Sequence, residues 1–204
     1  MKDRREYIIT KAMELYALNG YNNVSITDLQ IALDMGRGTL YYYFKSQDEL
    51  FQVCMERYFM RPKQQALQQP DTILVPDMIQ AMLGYLDSLQ DALQTFENKN
   101  INTTNVVNLM FTAYNLFPLL SRKAKRLYTA EIELWKKAIR NSIRAGQVRS
   151  GVNIDLLALM FTHVKDGYDS GQNGETMDFN IFPQQYNYLY ELIKPLPTNQ
   201  QSGL

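Results

Sequence analysis

Apolar residues recur at intervals of three and four along most of this chain, which is the spacing of one face of an α-helix. No alternation of polar and apolar residues is long enough to indicate a β-sheet. Beyond residue 45, the pattern predicts helices over residues 45–60, 77–95, 106–117, 121–145, 154–168 and 183–194. A Gln-rich stretch at residues 63–75 predicts a linker, and Pro62 and Pro118 predict helix ends. The predicted fold class is therefore all-α.

Residues 24–44 form two short helical patterns separated by a tight break. Ser25 is a suitable N-cap for the first helix, and Asp28 is placed to complete a capping box with it. The break falls at residues 34–36, where an Asp that tolerates unusual backbone angles is followed by a Gly that has no steric objection to them. A turn this short makes the two helices cross steeply, which is the layout of a helix-turn-helix.

The second of these helices has a buried side and an exposed side. Leu40 and Phe44 are spaced i, i+4 and lie one above the other, which predicts that both are buried. Thr39 and Tyr42 then face away from the protein. Tyr41 and Tyr43 lie on the flanks of the helix. The first turn, where free backbone amides favour phosphate, is formed by Arg37, Gly38 and Thr39.

The sequence around these helices resembles the TetR family of transcriptional repressors. Residues 37–45 read Arg-Gly-Thr-Leu-Tyr-Tyr-Tyr-Phe-Lys and precede a Ser-capped helix start at 46–51, a combination similar to the family signature. The similarity covers residues 4–51 and includes Ile9, Leu15 and Gly20 in the first helix and its exit. The chain departs from the family pattern at four positions. Gln30 and Asp34 stand where the family usually has Ala and Gly, and Tyr43 and Gln47 stand where similar proteins often have His and Lys.

The resemblance implies an all-α protein in two parts. Residues 1–47 are the expected three-helix helix-turn-helix DNA-binding domain, and residues 48–204 the expected larger helical domain for ligand binding and dimerisation. The implied function is a sequence-specific transcriptional regulator, expected to be a repressor, that a small molecule releases from its double-stranded DNA operator. A helical DNA-binding regulator controlled by a protein partner is the alternative.

Candidate DNA contacts lie in and beside the helix-turn-helix. The residues expected to touch base edges or the DNA backbone are Thr39, Tyr41, Tyr42 and Tyr43. Those expected to touch phosphate are Ser25, Thr27, Arg37 and Lys45, with Gly38 in the same first turn. The basic N-terminal arm, Lys2, Arg4 and Arg5, either lies along the DNA backbone, as the resemblance implies, or is an ordinary solubilising terminus.

The resemblance places the small molecule, expected to be apolar or aromatic, in the middle of the chain. Residues that are candidates for lining an apolar cavity between helices are Tyr85, Phe96, Met110, Phe111, Tyr114, Phe117, Trp135 and Phe161. Aromatic and Met residues at helical spacing also form ordinary hydrophobic cores. Both interpretations remain open for each of these residues.

The resemblance also assigns the last two helices to a homodimer interface, built as a four-helix bundle. Two apolar stripes fit this assignment: Leu156, Met160 and Val164 in the first helix, and Phe182, Tyr186, Leu189 and Ile193 in the second. The alternative is that both stripes bury against their own subunit. A dimer is favoured because a single recognition helix reads too few bases to be specific.

Composition argues against several other classes of protein. The formal net charge is zero, whereas proteins that coat nucleic acid nonspecifically are strongly basic. Cys54 is the single cysteine, so no intramolecular disulfide forms, and its apolar neighbours predict a buried structural thiol. With one histidine and no phosphate loop, metal-ligand cluster or nucleophile motif, no catalysis, metal or cofactor is expected. The absence of a signal pattern or membrane span predicts a cytoplasmic protein.

Overall fold

The computed structural model describes residues 2–166 and 178–196, and these residues form helices and connecting turns with no β-strand. The helices are α1 (Lys2–Asn19), α2 (Ile26–Leu33), α3 (Arg37–Tyr43), α4 (Gln47–Met55), α5 (Arg61–Ala66), α6 (Val75–Gln94), α7 (Thr103–Leu116), α8 (Pro118–Arg144), α9 (Ile154–His163) and α10 (Ile181–Ile193). The predicted all-α class is confirmed. None of these helices is both long and apolar enough to cross a lipid bilayer.

The helix that begins at α4 does not end at Pro62, so that prediction was wrong. It passes through a π-helical turn, Glu56–Met60, and continues as α5 to Ala66. In this turn the Arg61 amide donates to the Glu56 carbonyl five residues earlier, instead of the four residues of an α-helix. The regular pattern of backbone hydrogen bonds is therefore already interrupted at Pro62, which has no amide to donate. The predicted linker is consequently shorter than residues 63–75.

Pro118 begins a helix instead of only ending one. It occupies the first turn of α8, where its fixed φ suits the helix and its missing amide costs no hydrogen bond. As a result α8 starts three residues before the predicted position, and α7 ends at Leu116, one residue before the predicted end. The predicted helix over residues 154–168 ends at His163, followed by a 3₁₀ turn, Val164–Asp166, and its last residues lie outside the described part of the chain.

Two groups of buried apolar residues hold the helices together. The N-terminal core consists of the buried apolar residues of α1 to α4 and the π turn, joined by those of residues 96–120. The C-terminal core consists of the buried apolar residues of α6, α8, α9 and α10 with residues 73, 148 and 164. The N-terminal core therefore contains part of α7, so α7 and the loop before it connect the helix-turn-helix to the rest of the protein.

Cys54 is buried in the N-terminal core, as the sequence predicted. Its Sγ lies 3.5 Å from the Ile9 carbonyl oxygen on α1. Burial raises the pKa of this thiol well above its ordinary value, because the thiolate would be desolvated. Cys54 therefore packs α4 against α1 as a neutral side chain.

Candidate DNA-binding surface and ligand cavity

A capping box starts α2, as the sequence predicted. The Asp28 amide donates to the Ser25 hydroxyl at 3.2 Å, and the Ser25 amide donates to the Asp28 carboxylate at 2.8 Å. The Ser25 hydroxyl also donates to the same carboxylate at 2.6 Å. These bonds to the charged form lower the pKa of the Asp28 carboxyl. The start of the helix-turn-helix is therefore fixed by local contacts.

The unusual backbone angles in the turn between α2 and α3 fall on Asp34, one of the two residues that the sequence analysis named for them. Asp34 takes the left-handed conformation, with φ 49° and ψ 49°. Gly36 has φ −67° and serves as the N-cap of α3, a conformation open to any residue. The strained position in the turn thus belongs to the Asp, at the place where TetR-family sequences usually carry Gly.

Helix α3 presents the predicted exposed side. Leu40 and Phe44 are buried, whereas Thr39 is exposed and the Tyr42 side chain is 70% exposed. Tyr43 is half-buried and packs edge-on against the Tyr42 ring, with the ring centroids 5.0 Å apart. The other exposed candidates for DNA contact are Ser25, Thr27, Arg37, Gly38, Tyr41 and Lys45. The exposed Tyr42 ring is therefore supported on one side by the half-buried Tyr43 ring.

Contacts that the sequence did not predict hold α3 in place. The Arg5 guanidinium lies 4.9 Å from the centroid of the Phe44 ring, a cation–π contact from α1 to the end of α3. The Gln47 side-chain amide donates to the Val24 carbonyl at 2.5 Å. Gln47 replaces the Lys that family members usually carry, and here it joins the start of α4 to the residue before the N-cap of α2. Arg5 and Gln47 therefore act within the protein, as positioning residues for α3.

A cavity of about 520 Å³ lies among the π turn, α5, α6, α7 and α8. Its lining includes five of the predicted residues: Tyr85, Phe96, Met110, Phe111 and Tyr114. Most of the lining side chains are apolar or aromatic, which fits the expected character of the wall. A volume of this size is typical of pockets for small organic molecules.

The other three predicted cavity residues lie elsewhere, so those predictions are corrected. Trp135 and Phe161 stack in the C-terminal core, with their centroids 4.6 Å apart, and Trp135 also stacks on Tyr186. Phe117 packs on Phe51 in the N-terminal core, with the centroids 5.5 Å apart. Helical spacing identified these residues as inward-facing, but it did not distinguish a cavity wall from a packed core.

The cavity also has a charged end that the sequence reasoning missed. Lys63, Lys125 and Lys165 belong to its lining. Behind them lies the fully buried Glu131, whose Oε2 is 2.8 Å from Lys63 Nζ and whose Oε1 is 2.7 Å from Lys165 Nζ. A signal was present, because Glu131 interrupts the apolar stripe of α8 between Leu127 and Trp135. Its partners were not visible, since Lys63 fell in the predicted linker.

Most of the predicted dimer stripe faces the protein's own core, which corrects the expectation. Phe182, Tyr186 and Ile193 on α10, and Val164 after α9, are buried in the C-terminal core, and Leu189 packs against it. The aromatic and aliphatic residues of α9 and α10 that remain exposed are Leu156, Met160, Ile181, Tyr188 and Leu192. Helix α10 thus carries two apolar stripes, and the outer one is not covered by the described residues.

Comparison with known protein sequences identifies the N-terminal part of the chain. Residues 8–54 match the profile of the family described as "Bacterial regulatory proteins, tetR family". The HTH-type transcriptional regulator YuxN of Bacillus subtilis (strain 168) is 30% identical over 59 residues. That match covers 29% of this chain and 20% of YuxN, so it spans about one fifth of the relative's length.

Solved structures of similar fold extend the likeness to nearly the whole chain. A putative transcriptional regulator from Saccharomonospora viridis, solved in complex with choline, has a TM-score of 0.62 at 18% identity and covers 94% of this chain and 97% of that one. SmeT, solved in complex with triclosan, has a TM-score of 0.59 at 18% identity and covers 99% of each chain. At such identities these structures show the shared fold.

Residues 8–54 therefore belong to the TetR family of bacterial regulatory proteins and form a helix-turn-helix in which α3 is exposed.

Proposed function

We propose that this protein is a homodimeric repressor, which binds a roughly palindromic operator and is released when a small molecule occupies the cavity. The observation that carries the proposal is the position of Phe96, which belongs both to the cavity wall and to the N-terminal core. A ligand that displaces this wall acts on residues packed against α1, the helix that supports the helix-turn-helix. Residues 1–47 bind DNA, residues 48–204 bind ligand and dimerise, and the operator requires the protein to work in the cytoplasm.

In the proposed complex, α3 enters the major groove of the operator. Its exposed ring, Tyr42, and the residues beside it contact base edges or the DNA backbone: Thr39, Tyr41 and Tyr43. Phosphates are bound by Ser25, Thr27, Arg37 and Lys45. Gly38 lets the backbone of α3 approach the DNA closely, because no side chain stands between them. The exposure of these positions supports the assignment.

The second subunit covers the outer apolar stripe of α9 and α10. Leu156 and Met160 on α9, and Ile181, Tyr188 and Leu192 on α10, are large exposed side chains. Large apolar side chains that are exposed together on a surface are typical of an interaction site. Twofold symmetry then presents two copies of α3 to two half-sites, which gives the specificity that one helix lacks.

The small molecule controls DNA binding through differential affinity and needs no catalytic step. A compound that binds more tightly to the DNA-incompetent conformation lowers the affinity of the protein for its operator. Bound DNA lowers the affinity of the protein for the compound by the same factor. The solved relatives with choline and with triclosan support a small-molecule effector for this fold. The cavity supplies a site of suitable size in this chain.

The test begins with duplex fragments enriched from a random pool by the full-length protein. We expect affinity for an enriched site to fall with salt, with a log–log slope of about −5 to −9 for a dimer that contacts six to ten phosphates. Arg37→Ala is expected to weaken binding to all sequences and to reduce the slope by about one unit for each subunit. The matched control is Arg140→Ala, which removes an exposed arginine of α8 and leaves both quantities unchanged.

Two results would contradict the proposal. Affinity that stays flat between low and moderate salt would exclude a phosphate-contacting surface of the proposed kind. Equal effects of Arg37→Ala and Arg140→Ala would place the DNA elsewhere on the protein. A screen of small molecules against the bound complex then tests release separately from DNA recognition.

A further inference from the structure

The cavity wall combines an apolar body with a cationic end. Leu89, Phe96 and Val106 are among the apolar side chains that line it, and the charged lining residues are Lys63, Lys125 and Lys165. No acidic side chain is among the lining residues that the structure describes. The wall is therefore arranged for a molecule that is apolar over most of its surface and negative at one end.

The buried Glu131 carboxylate pairs with two of the three lysines that line the cavity. Glu131 is shared, because one of its oxygens contacts Lys63 and the other contacts Lys165. A lysine ammonium has three N–H donors, and the Lys63 side chain, which is 16% exposed, reaches this carboxylate through one of its oxygens. Lys125, exposed on α8, makes no ion pair with any residue in the described ranges.

We propose that the effector is a hydrophobic monocarboxylic acid whose carboxylate binds Lys63, with Lys125 adding to the local positive potential. Its apolar body lies along the walls formed by α6 and α7. Charge-assisted hydrogen bonds inside a largely apolar cavity are stronger than those at an exposed surface, so the acid group contributes both affinity and orientation. The inference deepens the proposed function, on which it rests, by giving the chemical class of the effector.

The charges of the wall exclude the corresponding neutral and cationic ligands as the preferred class. A neutral amide of the same length gains the apolar contacts but makes no charge-assisted hydrogen bond between two charged groups with Lys63. An amine brings a like charge against the lysines, which is unfavourable in a site of low dielectric. Three molecules of one chain length therefore separate the contributions of charge and apolar surface.

Calorimetry with the full-length protein at neutral pH provides the test, using decanoate, decanamide and decylamine below their aggregation limits. We expect decanoate to bind at least about tenfold more tightly than decanamide, as befits a hydrogen bond to a charged group, and decylamine to bind most weakly. Lys63→Gln is expected to lower decanoate affinity about tenfold while decanamide affinity changes less than about twofold. Lys125→Gln, at an exposed position that folding does not depend on, is expected to lower decanoate affinity by a smaller factor.

The matched control is Lys137→Gln. Lys137 is on the same helix as Lys125, but it pairs with Asp71 at 2.6 Å and does not line the cavity. We expect its decanoate affinity to equal that of the wild type. The inference is overturned if decanamide or decylamine binds as tightly as decanoate, if none of the three binds, or if Lys63→Gln and Lys137→Gln behave alike.

DNA release, measured with the same three compounds, separates this inference from the proposed function. Decanoate that binds through Lys63 without changing DNA affinity would overturn effector control and leave the ligand class standing. Release of DNA by decanamide or decylamine in preference to decanoate would overturn the ligand class and leave effector control standing. The expected result is release by decanoate that Lys63→Gln weakens and Lys137→Gln does not.

Discussion

The Glu14 carboxylate on α1 accepts a hydrogen bond from the backbone amide of Asn98 at 2.8 Å. Asn98 lies in the loop between α6 and α7, and Phe96, two residues earlier, is buried in the N-terminal core and lines the cavity. Glu14 itself is buried, with Lys11 Nζ at 3.3 Å from its other oxygen. The loop that borders the ligand cavity is thus attached to the DNA-binding part of the chain by both an apolar and a charge-assisted contact.

Glu14→Ala is expected to loosen this attachment. The substitution leaves the Asn98 amide without its acceptor, which costs about 1–3 kcal/mol of stability when the amide stays buried. We expect hydrogen exchange at the Asn98 amide to accelerate, and the ligand-induced change in operator affinity to shrink about fivefold because the coupling free energy falls. Glu14→Gln keeps an acceptor oxygen and serves as the control. Unchanged exchange in Glu14→Ala would show that the bond does not hold the loop.

Tyr42→Ala is expected to remove most operator binding without lowering thermal stability. The Tyr42 side chain is 70% exposed, so its removal leaves no cavity in the core, whereas its loss from the DNA interface removes a large contact surface. Electrophoretic mobility shift and thermal unfolding measure the two quantities on the same preparation. Leu119→Ala is the control, because Leu119 is 67% exposed on α8 and lies outside residues 24–44. A destabilised Tyr42→Ala protein with normal DNA affinity would contradict the assignment.

Leu192→Asp is expected to convert the proposed dimer to a monomer. Leu192 is 50% exposed on the outer stripe of α10 in the single subunit. In the proposed dimer this position is buried, and an unpaired carboxylate buried there is strongly unfavourable. Sedimentation equilibrium is expected to show a dimer dissociation constant raised at least about a hundredfold, which corresponds to a penalty of about 3 kcal/mol. Leu119→Asp, an equally conspicuous surface change outside this stripe, leaves the dimer intact. Equal dissociation of both variants, or of neither, would refute the proposed interface.

Local patterns in the sequence were sufficient to predict most of the helix-turn-helix. The capping box of Ser25 and Asp28 depends on residues three apart, and the burial of Leu40 and Phe44 follows from their spacing on one helix. The Arg5 contact with Phe44 joins residues far apart in sequence, and no periodicity encodes it. The same difference explains why secondary structure was predicted more fully than the contacts that position α3.

The cavity and the dimer stripe were predicted only in part, because both depend on which element lies opposite. Tyr186 and Tyr188 occupy different faces of α10, and each belongs to an apolar stripe, yet one is buried and the other is 67% exposed. The spacing of apolar residues does not show which of the two stripes packs against the core of its own subunit. Likewise Trp135 and Tyr85 are both inward-facing, but only the packing of neighbouring helices puts Tyr85 at a cavity wall and Trp135 in the core.

Asp34→Gly is expected to stabilise the protein. Asp34 holds φ 49° at the end of α2, a conformation that costs a residue with a Cβ more than it costs glycine. Glycine also loses more entropy on folding, so the two effects partly cancel, and we expect a net gain of about 0.5 kcal/mol in the free energy of unfolding. Asp34→Ala, which keeps the Cβ and loses the side-chain hydrogen-bonding ability of Asp, is expected to lose about 0.5–1 kcal/mol.

Gly36→Ala is the matched control for this turn. Gly36 has φ −67°, and a Cβ added there meets no atom within 4 Å, so we expect a change in the free energy of unfolding of less than about 0.5 kcal/mol. Urea denaturation measures all three variants against the wild type under one set of conditions. A loss in Gly36→Ala that exceeds the loss in Asp34→Ala would mean that the left-handed residue of the turn is the glycine. In that case α3 would begin from a different backbone conformation, and the direction in which Tyr42 projects would change with it.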